Sequence, residues 1–141
     1  MFYEIHPLKV DLLYVRWSCK ETRDSRPEAH YIADLRSRFD RASQPIYILS
    51  DLRYGKITDV RILQQLGKLT HHPNFGGGTA FTGDISAMIY VSVFSRFAAA
   101  SKRTDDGHTH LADALAYLES LKAGLTEGID WAEVTACQAG T

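Results

Sequence analysis

The run Ile46-Tyr47-Ile48-Leu49 limits what this chain can become more than any other stretch. Four apolar residues in succession, preceded by Pro45 and followed by Ser50-Asp51, read as a short strand buried at the centre of a sheet. The pattern turns helical on both sides of it. Ile32, Leu35 and Phe39 recur at helical spacing before the run, and Ile62, Leu63, Leu66 and Leu69 after it. A buried strand between two amphipathic helices implies an α/β architecture.

The rest of the chain extends this frame. Phe2 to His6 and Val10 to Trp17 alternate as strands, and the short link His6-Pro7-Leu8-Lys9 predicts an antiparallel hairpin. Ser25-Arg26-Pro27-Glu28 has the form of a capping box with proline in the first turn. Asp59 is placed to cap the helix that follows the central strand. "THHPNFGGG" reads as a loop and Thr79 to Thr82 as a short strand. A third helix is expected from Thr82 or Asp84 to about Ala100. Its apolar residues go nearly all the way round, which implies burial on more than one side or a partner. Lys102 to Gly107 suggests a weak last strand. Thr109 is placed to cap a helix with Leu111, Ala114, Leu115, Leu118 and Leu121 on one face. The expected order is β-β-α-β-α-β-α-(β)-α: a mixed sheet of four to five strands, with about four helices packed mainly on one face. Residues 1–122 form the expected domain. Gly124 and Gly128 loosen the remainder, so 123–141 is expected to be a mobile or partner-docked tail.

Composition removes several function classes. With 141 residues, 45% hydrophobic and 23% charged, the chain has the make-up of one globular domain. A formal net charge of -1 provides no field to attract nucleic acid or an anionic membrane. Arg16 to Arg41 is rich in arginine, but Glu21, Asp24, Glu28, Asp34 and Asp40 are interleaved, as on a solvated mixed face. No nucleic-acid partner and no transmembrane segment are expected. The opening "MFYEIHPLKV" lacks a signal-peptide layout, which points to the cytoplasm. Cys19 and Cys137 make no disulfide framework and are expected to be reduced thiols.

Candidate chemistry is sparse. Asp51, Asp59 and Asp84 would gather near the carboxyl ends of neighbouring strands, where open α/β sheets place ligands. Three such acids could hold magnesium or act as acid and base. The simpler reading makes Asp59 and Asp84 helix caps and Asp51 the closure of a turn. "FGGGTAFTG" has its glycines before the strand, the wrong order for a phosphate cradle. His71-His72 and His108-Thr109-His110 lack a recognised metal spacing, and there is no G-x-S-x-G. No catalytic residue, metal or cofactor is expected.

Three stretches, in order, carry a resemblance. "IYILSDLRYGKITD", "GGGTAFTGDISAMIYVSVFSRFA" and "THLADALAYLESL" are similar to the central strand and turn, the Gly-Asp turn with its long apolar helix, and the closing helix of a known family. That family is the SpoIIAA-like group of STAS domains, the fold of anti-sigma-factor antagonists, and the resemblance spans about residues 1–122. It implies a partner-switching module controlled by phosphorylation at the helix start after the central strand. The Asp of that motif falls on Asp59, and the hydroxyl positions fall on Val60 and Arg61, so the phospho-acceptor is missing; Thr58 stands one place before the Asp. The leading expectation is therefore a non-catalytic interaction or regulatory module working on an unidentified protein partner through the corner Asp51, Thr58, Asp59 and Asp84. A homodimer through Tyr90, Phe94 and Phe97 of the apolar third helix is expected with it. The alternative is a carrier or sensor of a small apolar molecule or lipid, since SpoIIAA-like domains are similar in fold to lipid-transfer domains. A metal-dependent enzyme using the three acids ranks third.

Overall fold

The computed structural model describes residues 1–85, 88–98, 101 and 103–136, with Tyr90 represented by its backbone. The expected hairpin is β1 (Phe2–Lys9) and β2 (Leu12–Ser18), antiparallel with Tyr3 opposite Trp17 and Ile5 opposite Val15. Pro7, expected in the connection, lies inside β1. Its missing N–H is tolerated because β3 (Arg26–Pro27) covers only Phe2 and Tyr3, and the rest of that edge is open.

The capping box does not form. Arg26 and Pro27 pair with β1, Ser25 exchanges hydrogen bonds with Thr22, and the Glu28 carboxylate turns to Thr58. A single 3-10 turn, Glu28–His30, precedes α1 (Tyr31–Arg41), whose N-cap His30 makes no side-chain cap bond.

From there the chain alternates: β4 (Ile46–Tyr54), α2 (Val60–Leu69), β5 (Phe75–Phe81) and α3 (Met88–Ala98). The sheet order is β3-β1-β2-β4-β5, with β2, β4 and β5 parallel. β4 was expected at the centre but is fourth of five; flanked on both sides by β2 and β5, it is interior, which its apolar run requires. β5 is longer than expected and includes the glycines. A Cβ at Gly76 would stand 2.7 Å from the Tyr47 ring, so those side chains are absent where neighbours already fill the space. The weak last strand appears as two parallel bridges, Gly78 to Thr104 and Phe81 to His108. α4 (Leu111–Leu121) and α5 (Trp131–Val134) complete the order; His110, not Thr109, sits at the α4 N-cap.

The sheet separates two cores. On the first face Leu13, Val15, Trp17, Ile46 and Ile48 pack against Tyr31, Leu35 and Phe39 of α1 and Leu63 and Leu69 of α2, with Phe94 and Phe97 of α3 against the same core. On the second face Leu12, Tyr14, Leu49 and Phe81 meet Ala114 and Leu118 of α4. Leu125, only 2% exposed, joins this core, and Ile129, Trp131 and Val134 pack against it. Three of the four long helices thus pack on the first face, as expected, and α4 with the C-terminal segment covers the second. The segment after Lys122 behaves as a strap on the domain through Ala136, not as a tail beyond it, because the sheet's second face is otherwise only partly covered. Residues 137–141, including Cys137, lie outside the described residues. Among the described residues no helix is long and apolar enough to cross a membrane.

Candidate functional site

Parallel register puts Arg16 of β2 opposite Asp51 of β4. Because side chains alternate along a strand, Tyr14 and Arg16 share the second face with Asp51 and Arg53. Asp51 has no exposed surface and is satisfied four times over. It accepts from the Tyr14 hydroxyl, from the Arg53 backbone N–H (3.1 Å), from Arg53 Nε (2.9 Å) and from Arg53 Nη2 (2.7 Å). Such saturation is what permits a carboxylate in a sheet core. Burial, and next to it the Asp51 charge, pushes the Tyr14 phenol up, so it stays protonated and donates. The bonds to Asp51 raise Arg53 further above its ordinary value, against the opposing effect of burial. The Arg53 guanidinium also lies 5.1 Å from the Phe81 ring centre and 5.0 Å from that of Tyr54.

The strap closes this cluster. Arg53 Nη2 donates to the Thr135 carbonyl, and Arg16 Nη2 to those of Val134 (2.7 Å) and Ala136 (3.2 Å). Arg16 Nε approaches the Tyr14 hydroxyl at 3.4 Å. Asp51 is therefore neither a free acid nor a simple turn closure: it anchors Arg53 directly, and the Tyr14 hydroxyl that donates to it also meets Arg16, the two arginines holding the C-terminal segment. Sequence reasoning singled out Asp51 and missed Tyr14, Arg16 and Arg53. The pairs Tyr14-x-Arg16 and Asp51-x-Arg53 were the available signal, but they acquire meaning only once the strands are placed in register.

The other expected site residues do not converge on it. Asp59 caps α2, accepting the Arg61 N–H at 2.9 Å; the Arg61 guanidinium, then that N–H, hold its carboxyl below the usual range. Thr58 is tied to Glu28, its N–H at 2.7 Å and its hydroxyl at 3.4 Å from that carboxylate. Asp84 is exposed in the turn after β5, where the Thr82 hydroxyl donates to its carbonyl at 2.7 Å. His72 pairs with Asp40 at 2.8 Å and His108 with Asp105 at 2.5 Å. Among the described residues no three His, Cys, Asp or Glu side chains are grouped to hold a metal ion.

Phe94 and Phe97, expected at an interface between copies, are half-buried within the fold. The closeness of α2 and α3 accounts for Phe97: a Cβ at Gly67 would lie 2.5 Å from the Cβ of Phe97. The side chain of Tyr90 lies outside the described residues. Val60 at 55%, Ile85 at 79% and Ile89 at 66% are instead the exposed large apolar residues where α2 and α3 begin, beyond the carboxyl ends of β4 and β5.

On the first face, the layer between the sheet and α1–α3 is incompletely filled. An apolar cavity of about 90 Å³ lies there, walled by Trp17, Tyr31, Ile48, Leu63, Val91 and Phe94 among others. Its few polar groups are largely spent. The Thr70 hydroxyl donates to the Gly67 carbonyl and that of Thr79 to Asp105, each at 2.6 Å. A void of this make-up offers water few partners and suits an apolar guest.

No family model, no curated protein and no solved structure matches this chain.

Proposed function

We propose that this chain is a non-catalytic binding module with a STAS-like order of elements, and that its ligand is a small apolar molecule taken up between the sheet and α1–α3. The cavity carries this reading. Its apolar walls, partly open to solvent, lack packing partners that a fitting guest would supply. The volume is below the roughly 150 Å³ that admits benzene, so a small branched group or the tip of an alkyl chain is the matching guest. A non-catalytic role is supported by the commitments of the acids: Asp51 is saturated and Asp59 caps a helix. The Glu28 carboxylate beside the Thr58 hydroxyl argues against a phosphate switch there, because a dianion would face a fixed negative charge.

Thermal melting with added 1-octanol tests the proposal. The wild-type midpoint should rise with the alcohol. Ala80→Leu, which fills the cavity from the sheet side, should melt higher than wild type without alcohol and gain nothing from it. An equal response in both proteins, or none in either, would refute uptake into the core.

Val60, Ile85 and Ile89 favour a second reading, a protein-docking or homodimer edge at the starts of α2 and α3. The substitution that tests it is Ile89→Asp, because Phe94 is part of the core. Sedimentation should show the wild type associating and the variant monomeric; a monomeric wild type that binds octanol leaves the cavity reading alone.

A further inference from the structure

The Arg16–Arg53 cluster is unbalanced. Among the described residues, Asp51 is the one carboxylate bonded to either guanidinium, so two positive charges share one negative. Arg16 is 8% exposed, and its Nη2 points at neutral acceptors, the carbonyls of Val134 and Ala136, while Nε meets the Tyr14 hydroxyl. Those carbonyls, with that of Thr135 on Arg53, belong to the end of the strap, where helix α5 runs out and leaves acceptors unsatisfied. A guanidinium holds a carboxylate better than a neutral carbonyl, because both partners then carry charge and the pair can be bidentate.

We propose that Arg16 and Arg53 form a binding site for the carboxylate of a small organic acid, closed in this state by the strap. The Val134, Thr135 and Ala136 carbonyls hold the places of the ligand's oxygens. One excess positive charge suits a monoanion, whereas a phosphate dianion would meet Asp51 directly behind the guanidinium groups. The strap is built to leave. Gly124 and Gly128 take positive φ values of 84° and 77°, and a Cβ at Gly128 would meet nothing within 4 Å, so the chain turns there without being packed. Between Gly128 and the arginines the strap is held by the half-buried side chains of Ile129, Trp131 and Val134 and by Thr135, which is buried and donates to the Trp131 carbonyl within the strap itself. The site lies on the opposite face of the sheet from the apolar cavity and stands independently of it.

Trp131 supplies the readout, since it rides on the strap while Trp17 is buried on the other face. The full chain is titrated with sodium acetate, and separately with sodium chloride and inorganic phosphate at matched ionic strength. Emission and acrylamide quenching are assigned to Trp131 by subtracting Trp131→Phe. Acetate should red-shift Trp131 and expose it to quencher, with chloride inert and phosphate weaker. Ile129→Ala, which weakens the closed state, should lower the acetate midpoint severalfold, because opening no longer taxes binding as heavily. Arg16→Met should abolish the response. If that variant does not fold, Arg16→Lys, which keeps the charge and loses the planar fork, should weaken it. A chloride response equal to acetate, a stronger phosphate response, an unmoved midpoint in Ile129→Ala, or a full response in the Arg16 variant would each overturn the proposal.

Discussion

Arg53→Met separates the structural role of the buried cluster from any other. Methionine keeps an apolar stem against Phe81 and Tyr54 and removes the guanidinium. Asp51, with no exposed surface, then loses the donors at 2.9 Å and 2.7 Å and its counter-charge, retaining only the Tyr14 hydroxyl and the backbone N–H of residue 53. Breaking a fully buried ion pair costs about 3–5 kcal/mol. The Arg53 side chain is 25% exposed, so water reaches part of the vacated space. The lower end, about 3 kcal/mol, is therefore expected. In urea unfolding followed by circular dichroism, a slope of about 2 kcal/mol/M turns that loss into a midpoint roughly 1.5 M lower. Asp51→Asn in the same background should restore part of the loss, since the stranded charge is gone. A cost below about 1 kcal/mol, or strict additivity of the two changes, would refute the view that Arg53 neutralises a buried Asp51.

Gly67→Ala should destabilise although alanine favours helix by about 1 kcal/mol. Its Cβ would enter the space held by Phe97 of α3, an overpacking worth about 1–3 kcal/mol, and urea unfolding reads the net sign. Glu119 accepts the N–H groups of Thr126 and Gly124 and the Thr126 hydroxyl, bonds that hold its carboxyl below the ordinary value of 4.5. A depressed carboxyl stabilises above its unfolded value and loses that contribution as pH falls through the folded one. Amide protection in 124–131, measured against the intrinsic exchange rate at each pH, should therefore fall below pH 4.5, and Glu119→Gln should remove that acid-side dependence. Equal dependence in both proteins would contradict the tie.

The sequence made the sheet legible because its signals are local. Ile46 to Leu49 is apolar on both faces and occupies an interior strand, flanked by β2 and β5; Asp59 precedes an amphipathic run and caps it. Where partners are distant in sequence, the local signal misled. Ser25 and Glu28 have capping-box spacing, but the Glu28 N–H bonds the Met1 carbonyl at 2.9 Å and its carboxylate reaches Thr58. The strap was illegible because Leu125, Ile129, Trp131 and Val134 follow neither helical nor strand period. They are spaced by a chain that turns twice at glycine to cross the sheet. Asp51 was expected just beyond the end of its strand, but β4 continues to Tyr54 and places it inside the sheet, where its chemistry depends on Arg53 and on Tyr14, 37 positions away on the neighbouring strand. The apolar character of α3 implied burial on more than one side or a partner; Val91 and Ala98 are buried and Phe97 packs against Gly67, while Ile89 is exposed.

Uptake of an apolar guest into the first-face cavity is read by isotope-filtered NMR of the methyl-labelled protein with 1-octanol. Nuclear Overhauser contacts from the alkyl chain to methyls of Ile48, Leu63 and Val91, lost in Ala80→Leu, are the predicted result. Contacts confined to Val60, Ile85 and Ile89, or contacts unchanged by Ala80→Leu, would contradict it.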